Sequence, residues 1–161
     1  MKSLFKLTLT TLFTLVLSTQ AIAQNAKYKC LLQMTNYKGL EAYIVVSLIA
    51  PNGKYEKTLY MMGPDKKWYN GFKEWDKNLG KKKENLNGIT GASVAAGNRT
   101  SATFILDETK LNKGYKLRFE SAVEDAKYFV TDVEIPLTSE ALTQKTEGKG
   151  YIRFVKLTKA N

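Results

Sequence analysis

Two stretches in the C-terminal half alternate apolar and polar residues with a period of two, and that period admits little but β-structure. Tyr115, Leu117, Phe119, Ser121 and Val123 alternate with Lys116, Arg118, Glu120 and Ala122. Phe129, Thr131, Val133, Ile135 and Leu137 alternate with Tyr128, Val130, Asp132 and Glu134. Successive side chains of an extended chain point to opposite faces, so each stretch predicts a strand with one face in a core and one in solvent. Ala102, Phe104 and Leu106 make a third such face, and residues 152–157 a last, less regular strand. Residues 40–50 are largely apolar on both faces, which predicts a central strand.

The turns agree with this reading. Pro51-Asn52-Gly53 predicts a tight hairpin turn, with residues 54–62 returning as the partner strand. Asn112-Lys113-Gly114 predicts a second hairpin and Gly148-Lys149-Gly150 a third. One segment breaks the β pattern. Trp68, Phe72, Trp75 and Leu79 recur at helical spacing, between a start at Pro64-Asp65 and a stop at Gly80. Aromatic stripes of this kind are usually core, so the helix is expected to cap one end or edge of the β-structure rather than to form a ligand box. About seven or eight short strands with one inserted helix predict a mainly β chain, an immunoglobulin-like β-sandwich.

Composition limits the chemistry. The 161 residues contain no His and one Cys. Ser-His-Asp and Cys-His catalysis, imidazole-ligated metals and thiolate clusters are therefore excluded. Two adjacent acid pairs, Asp107-Glu108 and Glu124-Asp125, are the remaining candidates for hydrolysis. Neighbours on a strand point to opposite faces, so neither pair converges on one bond as glycoside chemistry requires. They are read as turn and surface acids, and no enzyme activity is expected. The acids also lack the spaced-oxygen signature of a calcium loop.

Residues 1–23 read as a cleaved signal peptide. Lys2 and Lys6 form a positive start, an apolar run follows, and Ala21-Ile22-Ala23 supplies the small-x-small cut site. The remaining residues, 24–161, are expected to form a single domain with no transmembrane segment, in the periplasm or otherwise outside the cytoplasm. Cys30, in an oxidising compartment and followed by Leu31-Leu32, is expected to be a buried core thiol. The full chain carries Lys+Arg 25 against Asp+Glu 15. Its positive field favours phosphates, lipid headgroups or acidic proteins, while the exported location and the lack of a recognition motif argue against nucleic acid. Lys81-Lys82-Lys83 is read as a solvated loop or an anion-attracting patch.

Residues 87–93, Asn-Gly-Ile-Thr-Gly-Ala-Ser, form a loop of little bulk. It reads either as a plain turn into the strand that starts near Arg99, or as a segment whose small Gly91 and Ala92 would leave the Ser93 hydroxyl open to another active site. The segment resembles the acceptor motif of proteins that carry flavin mononucleotide covalently: Asp, two variable residues, Ser or Thr, Gly, Ala, then the Thr or Ser acceptor. Thr90, Gly91, Ala92 and Ser93 match its last four positions, while Asn87 stands where the motif has Asp. The chain also resembles domain-of-unknown-function family 2271, the predicted periplasmic proteins. The resemblance rests on residues 43–59, 67–75, 89–93 and 114–122, in the family's order, across most of residues 28–137. Several members of that family show Asp and Thr where this chain has Asn87 and Ser93. The resemblance implies a small exported β-sandwich that accompanies membrane reductase-like or metal-uptake proteins, with no established activity.

Two functional expectations stand side by side. The first is a non-catalytic accessory or binding protein acting with an envelope partner in metal uptake or membrane redox. The alternative, implied by the acceptor motif, is a periplasmic electron-transfer protein bearing FMN on Ser93, attached by a flavin transferase. In that reading Trp68 or Trp75 stacks on the flavin and lysines 81–83 neutralise its phosphate.

Overall fold

The computed structural model describes residues 24–160, so the expected signal peptide lies outside the described residues. Among the described residues there are nine strands: β1 (Asn25–Met34), β2 (Tyr43–Ile49), β3 (Tyr55–Met62), β4 (Thr90–Gly91), β5 (Arg99–Asp107), β6 (Lys116–Ala122), β7 (Tyr128–Pro136), β8 (Lys145–Glu147) and β9 (Ile152–Lys159). They form two sheets, a four-stranded one in the order β5-β1-β9-β8 and a five-stranded one in the order β4-β3-β2-β6-β7. All pairings are antiparallel except the short β3–β4 pair. The chain is mainly β, and its two sheets enclose one apolar core, as the period-two pattern predicts.

The inward positions of β1 are Ala26, Tyr28, Cys30, Leu32 and Met34. They meet Ile44, Val46, Leu48, Leu117, Phe119 and Ile135 from the other sheet. Cys30 has no exposed surface, and burial pushes its thiol up to about 12. It behaves as a small apolar side chain, as expected.

The inserted segment is not one helix. A 3-10 turn, Lys66–Gly71, is capped by the Asp65 carboxylate, which accepts the Lys67 N–H at 3.1 Å. At Phe72 the backbone leaves helical geometry (φ −91°, ψ 63°), and α1 (Lys73–Lys82) begins. Gly80 does not stop it. Lys83 does, in the left-handed region at φ 51°, with its N–H on the Leu79 carbonyl. Lys81 and Lys82 fall in the last turn, where cations suit the exposed carbonyls of a helix end.

The segment also lies elsewhere than at an end or edge. Tyr69, Phe72 and Trp75 pack on Val45 and Met61, across the outer face of the five-stranded sheet. This explains why β2 is apolar on both sides: one side faces the second sheet and the other faces α1. Leu40, at the start of that apolar run, is outside the strand and 63% exposed.

Two further expectations are corrected. Asn112-Lys113-Gly114 does not join a hairpin, because β5 and β6 belong to different sheets; the turn carries the chain across the sandwich. The β7 alternation fails in the middle. Phe119 pairs with Val133 but Ser121 with Phe129, so β7 bulges by two residues. Asp132 turns inward and is fully buried, whereas Thr131 faces solvent. The Pro51-Asn52-Gly53 and Gly148-Lys149-Gly150 hairpins form as predicted.

Candidate functional site

The acceptor-like loop is built largely by strand pairing. Thr90 and Gly91 pair with Met61 and Met62. The Thr90 hydroxyl donates to the Leu86 carbonyl at 3.0 Å, so it closes its own turn. A Cβ at Gly91 would lie 2.5 Å from the Tyr60 hydroxyl, so a larger residue there would have to displace the end of that side chain. Asn87 is exposed, and its N–H donates to Asn85 Oδ1 at 2.9 Å. Sequence composition suggests a freely flexible loop, but the Gly91 carbonyl accepts the Gly63 N–H at 2.8 Å, which holds this backbone against β3.

Ser93 sits one residue before a second anchor. Ala42 and Val94 exchange two backbone hydrogen bonds of 2.8 and 2.9 Å. The Tyr37 hydroxyl also donates to the Val94 carbonyl at 2.9 Å. This bridge sets Ser93 beside Glu41, and the half-buried Ser93 hydroxyl donates to the exposed Glu41 carboxylate. Ala92 beside it is exposed.

Glu41 also lines the neighbouring cleft. The cleft has a volume of about 630 Å³ and opens between the 3-10 turn, the start of β2 and the turn joining β6 to β7. Leu40, Tyr43, Trp68, Phe72 and Tyr128 supply its apolar wall. Trp68 is 37% exposed, so two large apolar side chains, Leu40 and Trp68, stand open at one opening. Tyr43 is fixed by the bare backbone of Gly63, where a Cβ would meet its ring at 2.2 Å. Phe72 and Tyr128 meet edge to face at 5.4 Å. The charged residues of the wall are Glu41, Glu124 and Asp125 against Lys73, so the cleft is an acidic spot on a basic protein.

The sequence-predicted partners divide. Trp68 reaches the cleft, with the Lys67 ammonium 4.8 Å from its ring centroid. Trp75 does not reach it. Trp75 is fully buried and donates its indole N–H to Thr58 Oγ1 at 2.9 Å. Lysines 81–83 are also remote from Ser93. Lys82 donates to the Glu56 carbonyl, five residues back along β3 from the Met61–Thr90 pair, roughly 17 Å away at strand spacing. The lysine on the cleft wall is Lys73. Glu124 and Asp125, set aside as turn acids, lie on the same wall in a turn where Asp125 has φ 54°.

Ser93 is half-buried and lies beside the cleft rather than on its wall, where Trp68 and Tyr43 offer flat apolar surface and Lys73 a cation. Leu40, Glu41, Tyr43, Lys73 and Tyr128 were not signalled as site residues by pattern. They come from three separate parts of the chain, and only the exposed apolar Leu40 departs from what the central strand predicted over residues 40–50 would require. Among the described residues no group of three or more Cys, Asp or Glu could hold a metal ion, and no helix is long and apolar enough to cross a membrane.

A family model described as predicted periplasmic protein (DUF2271) matches residues 25–154. No curated protein and no solved structure matches the chain.

Proposed function

The chain belongs to the DUF2271 family of predicted periplasmic proteins, and we propose that it works there as a non-catalytic accessory module that binds through the Leu40–Trp68 cleft. The observation that carries this reading is the pair of open apolar side chains over an aromatic wall. Exposed large apolar groups gathered at one concavity mark a binding site more often than scattered ones do. The three carboxylates on the wall favour an apolar or aromatic ligand that carries positive charge, presented by a membrane redox or metal-uptake partner of the envelope. The test uses residues 24–161 and the hydrophobic dye Nile red. Saturable dye binding is expected, weakened about tenfold or more in Trp68→Ala and in Leu40→Ser. Unchanged binding in both variants, with circular dichroism intact, would overturn the reading.

A second reading is favoured by the Ser93–Glu41 hydrogen bond, because it links the acceptor-like hydroxyl to the wall of the same cleft. Here Ser93 carries FMN, Trp68 and Tyr43 flank the ring, and Lys73 offsets the phosphate charge. The flavin would supply electron-transfer chemistry that the side chains lack. Co-expression with a periplasmic flavin transferase should give a mass gain and in-gel fluorescence that Ser93→Ala abolishes. No gain, with a control acceptor labelled in the same cells, removes it. Asn87→Asp should raise labelling if the transferase reads that carboxylate.

A further inference from the structure

The two sheets treat their outer faces differently. The five-stranded sheet is covered by the 3-10 turn and α1, over an apolar surface. The four-stranded sheet has an open outer face, and its charges are mostly of one sign. Between the buried positions of β1 stand Lys27, Lys29, Leu31 and Gln33. Antiparallel register places Ile105, Thr103, Ser101 and Arg99 beside them from β5. From β9 it places Thr158 beside Lys29, Lys156 beside Leu31 and Phe154 beside Gln33; Lys145 of β8 is then level with Lys156.

Five cations, Lys27, Lys29, Arg99, Lys145 and Lys156, thus share one face. Its carboxylates are two, one at each end, and both are engaged. Asp107 accepts the Thr109 N–H and hydroxyl at 3.0 and 2.6 Å. Glu147 lies 3.5 Å from Lys145. Among the described residues Lys27, Lys29, Arg99 and Lys156 form no ion pair. Ile105, 52% exposed, adds an apolar contact point in the same plane. At one end of the face a concavity of about 550 Å³ is lined by three cations, Arg99, Lys145 and Arg153, against one carboxylate, Glu147.

We propose that this face docks on a bilayer rich in anionic phospholipid. The argument is charge complementarity together with shape. The cations are spread across a broad sheet face rather than gathered in a deep pocket, which suits a field of phosphate headgroups. Lysine ammoniums on flexible stems tolerate headgroups in many positions, and the arginines at the concavity can take a phosphate in a fixed geometry. Each cation near an anionic membrane surface contributes measurably, and the contributions accumulate across the face. The periplasmic setting of the family puts such surfaces within reach. The inference does not depend on what the Leu40–Trp68 cleft binds.

The experiment is co-sedimentation of residues 24–161 with phosphatidylcholine vesicles, with and without phosphatidylglycerol. Binding is expected only with the anionic lipid, and it should fall as salt rises. The variant Lys27→Glu/Lys29→Glu/Lys156→Glu should bind at least about a hundredfold more weakly. A second variant, Lys66→Glu/Lys77→Glu/Lys81→Glu, changes net charge equally on the other side of the molecule and should keep most of the binding. All six lysines are exposed, so both variants should fold. Absence of binding at low salt overturns the proposal. So does equal loss in the two variants, which would mean net charge alone. Binding of soluble polyglutamate through this face, with none to vesicles, would assign the face to an acidic protein and also overturn it.

Discussion

Four donors converge on the carboxylate of Asp132. The Ser121 hydroxyl gives it a bond of 2.5 Å, and the N–H groups of Lys149, Gly150 and Ile152 give bonds of 2.9, 2.7 and 3.0 Å. The side chain therefore ties β6 and β7 of one sheet to the β8–β9 turn of the other. Asp132→Ala would leave buried donors unpaired, and a loss of about 3 kcal/mol or more in denaturant unfolding is expected. Glu120 is the other buried acid that alternation places in solvent. Burial pushes its carboxyl up to about 7, with the Tyr128 hydrogen bond and Arg118 opposing the rise and Glu74 adding to it. Between pH 4.5, its ordinary value, and about 7, the folded protein keeps a proton that the unfolded chain releases. Stability from this group is thus full below pH 4.5, falls as pH rises, and levels off above about 7. Relative to wild type, Glu120→Gln should gain roughly 3 kcal/mol between those limits, read from unfolding curves at pH 4 and pH 8. A difference independent of pH would contradict the assignment. Period-two alternation could show neither acid as buried. It counts faces along one strand, and a bulge or an overlying helix changes what a face meets.

Element placement follows the same division. The strands, the tight turns at Asn52-Gly53 and Gly148–Gly150, and the central position of β2 follow from local pattern, because strand pairing reads the same side chains that sequence shows. The helical segment was legible in type but not in place or length. Its break at Phe72 and its end at Lys83 depend on what the aromatic side chains reach on the sheet. Trp75 anchors it through the Thr58 hydroxyl; the neighbouring Thr58 N–H donates in turn to Glu84 at 3.0 Å. Trp75→Ala should therefore destabilise the fold by about 3–5 kcal/mol. Trp75→Phe, which keeps most of the volume but drops the hydrogen bond, should cost about 1–2 kcal/mol in the same unfolding measurement.

At the scale of the whole molecule, the cleft and the cationic sheet face lie on different sheets, with the core between them. Sites without shared partners behave additively. Trp68→Ala should weaken dye binding and leave vesicle binding unchanged, while Lys27→Glu/Lys29→Glu/Lys156→Glu should do the reverse. Coupling of either change to the other readout would show that one surface supports the other. The protein would then present a ligand on one side while the other side rests on a membrane. That arrangement suits an accessory module working beside an envelope partner.

Much of the candidate site was hidden for a physical reason. Thr90, Gly91, Ala92 and Ser93 are contiguous, so a motif can show them; Leu40, Glu41, Trp68, Lys73 and Tyr128 are brought together only by pairing and packing. Sequence alone determined the mainly β character, two of the three hairpin turns and the buried thiol, since these depend on the order of apolar and polar residues along a few consecutive positions. The tertiary structure decided which face α1 covers, that Asp132 and Glu120 are inside, and that Ser93 meets Glu41 at the rim of an aromatic cleft. Those outcomes depend on contacts between segments far apart in the chain, and no local pattern encodes which of them meet.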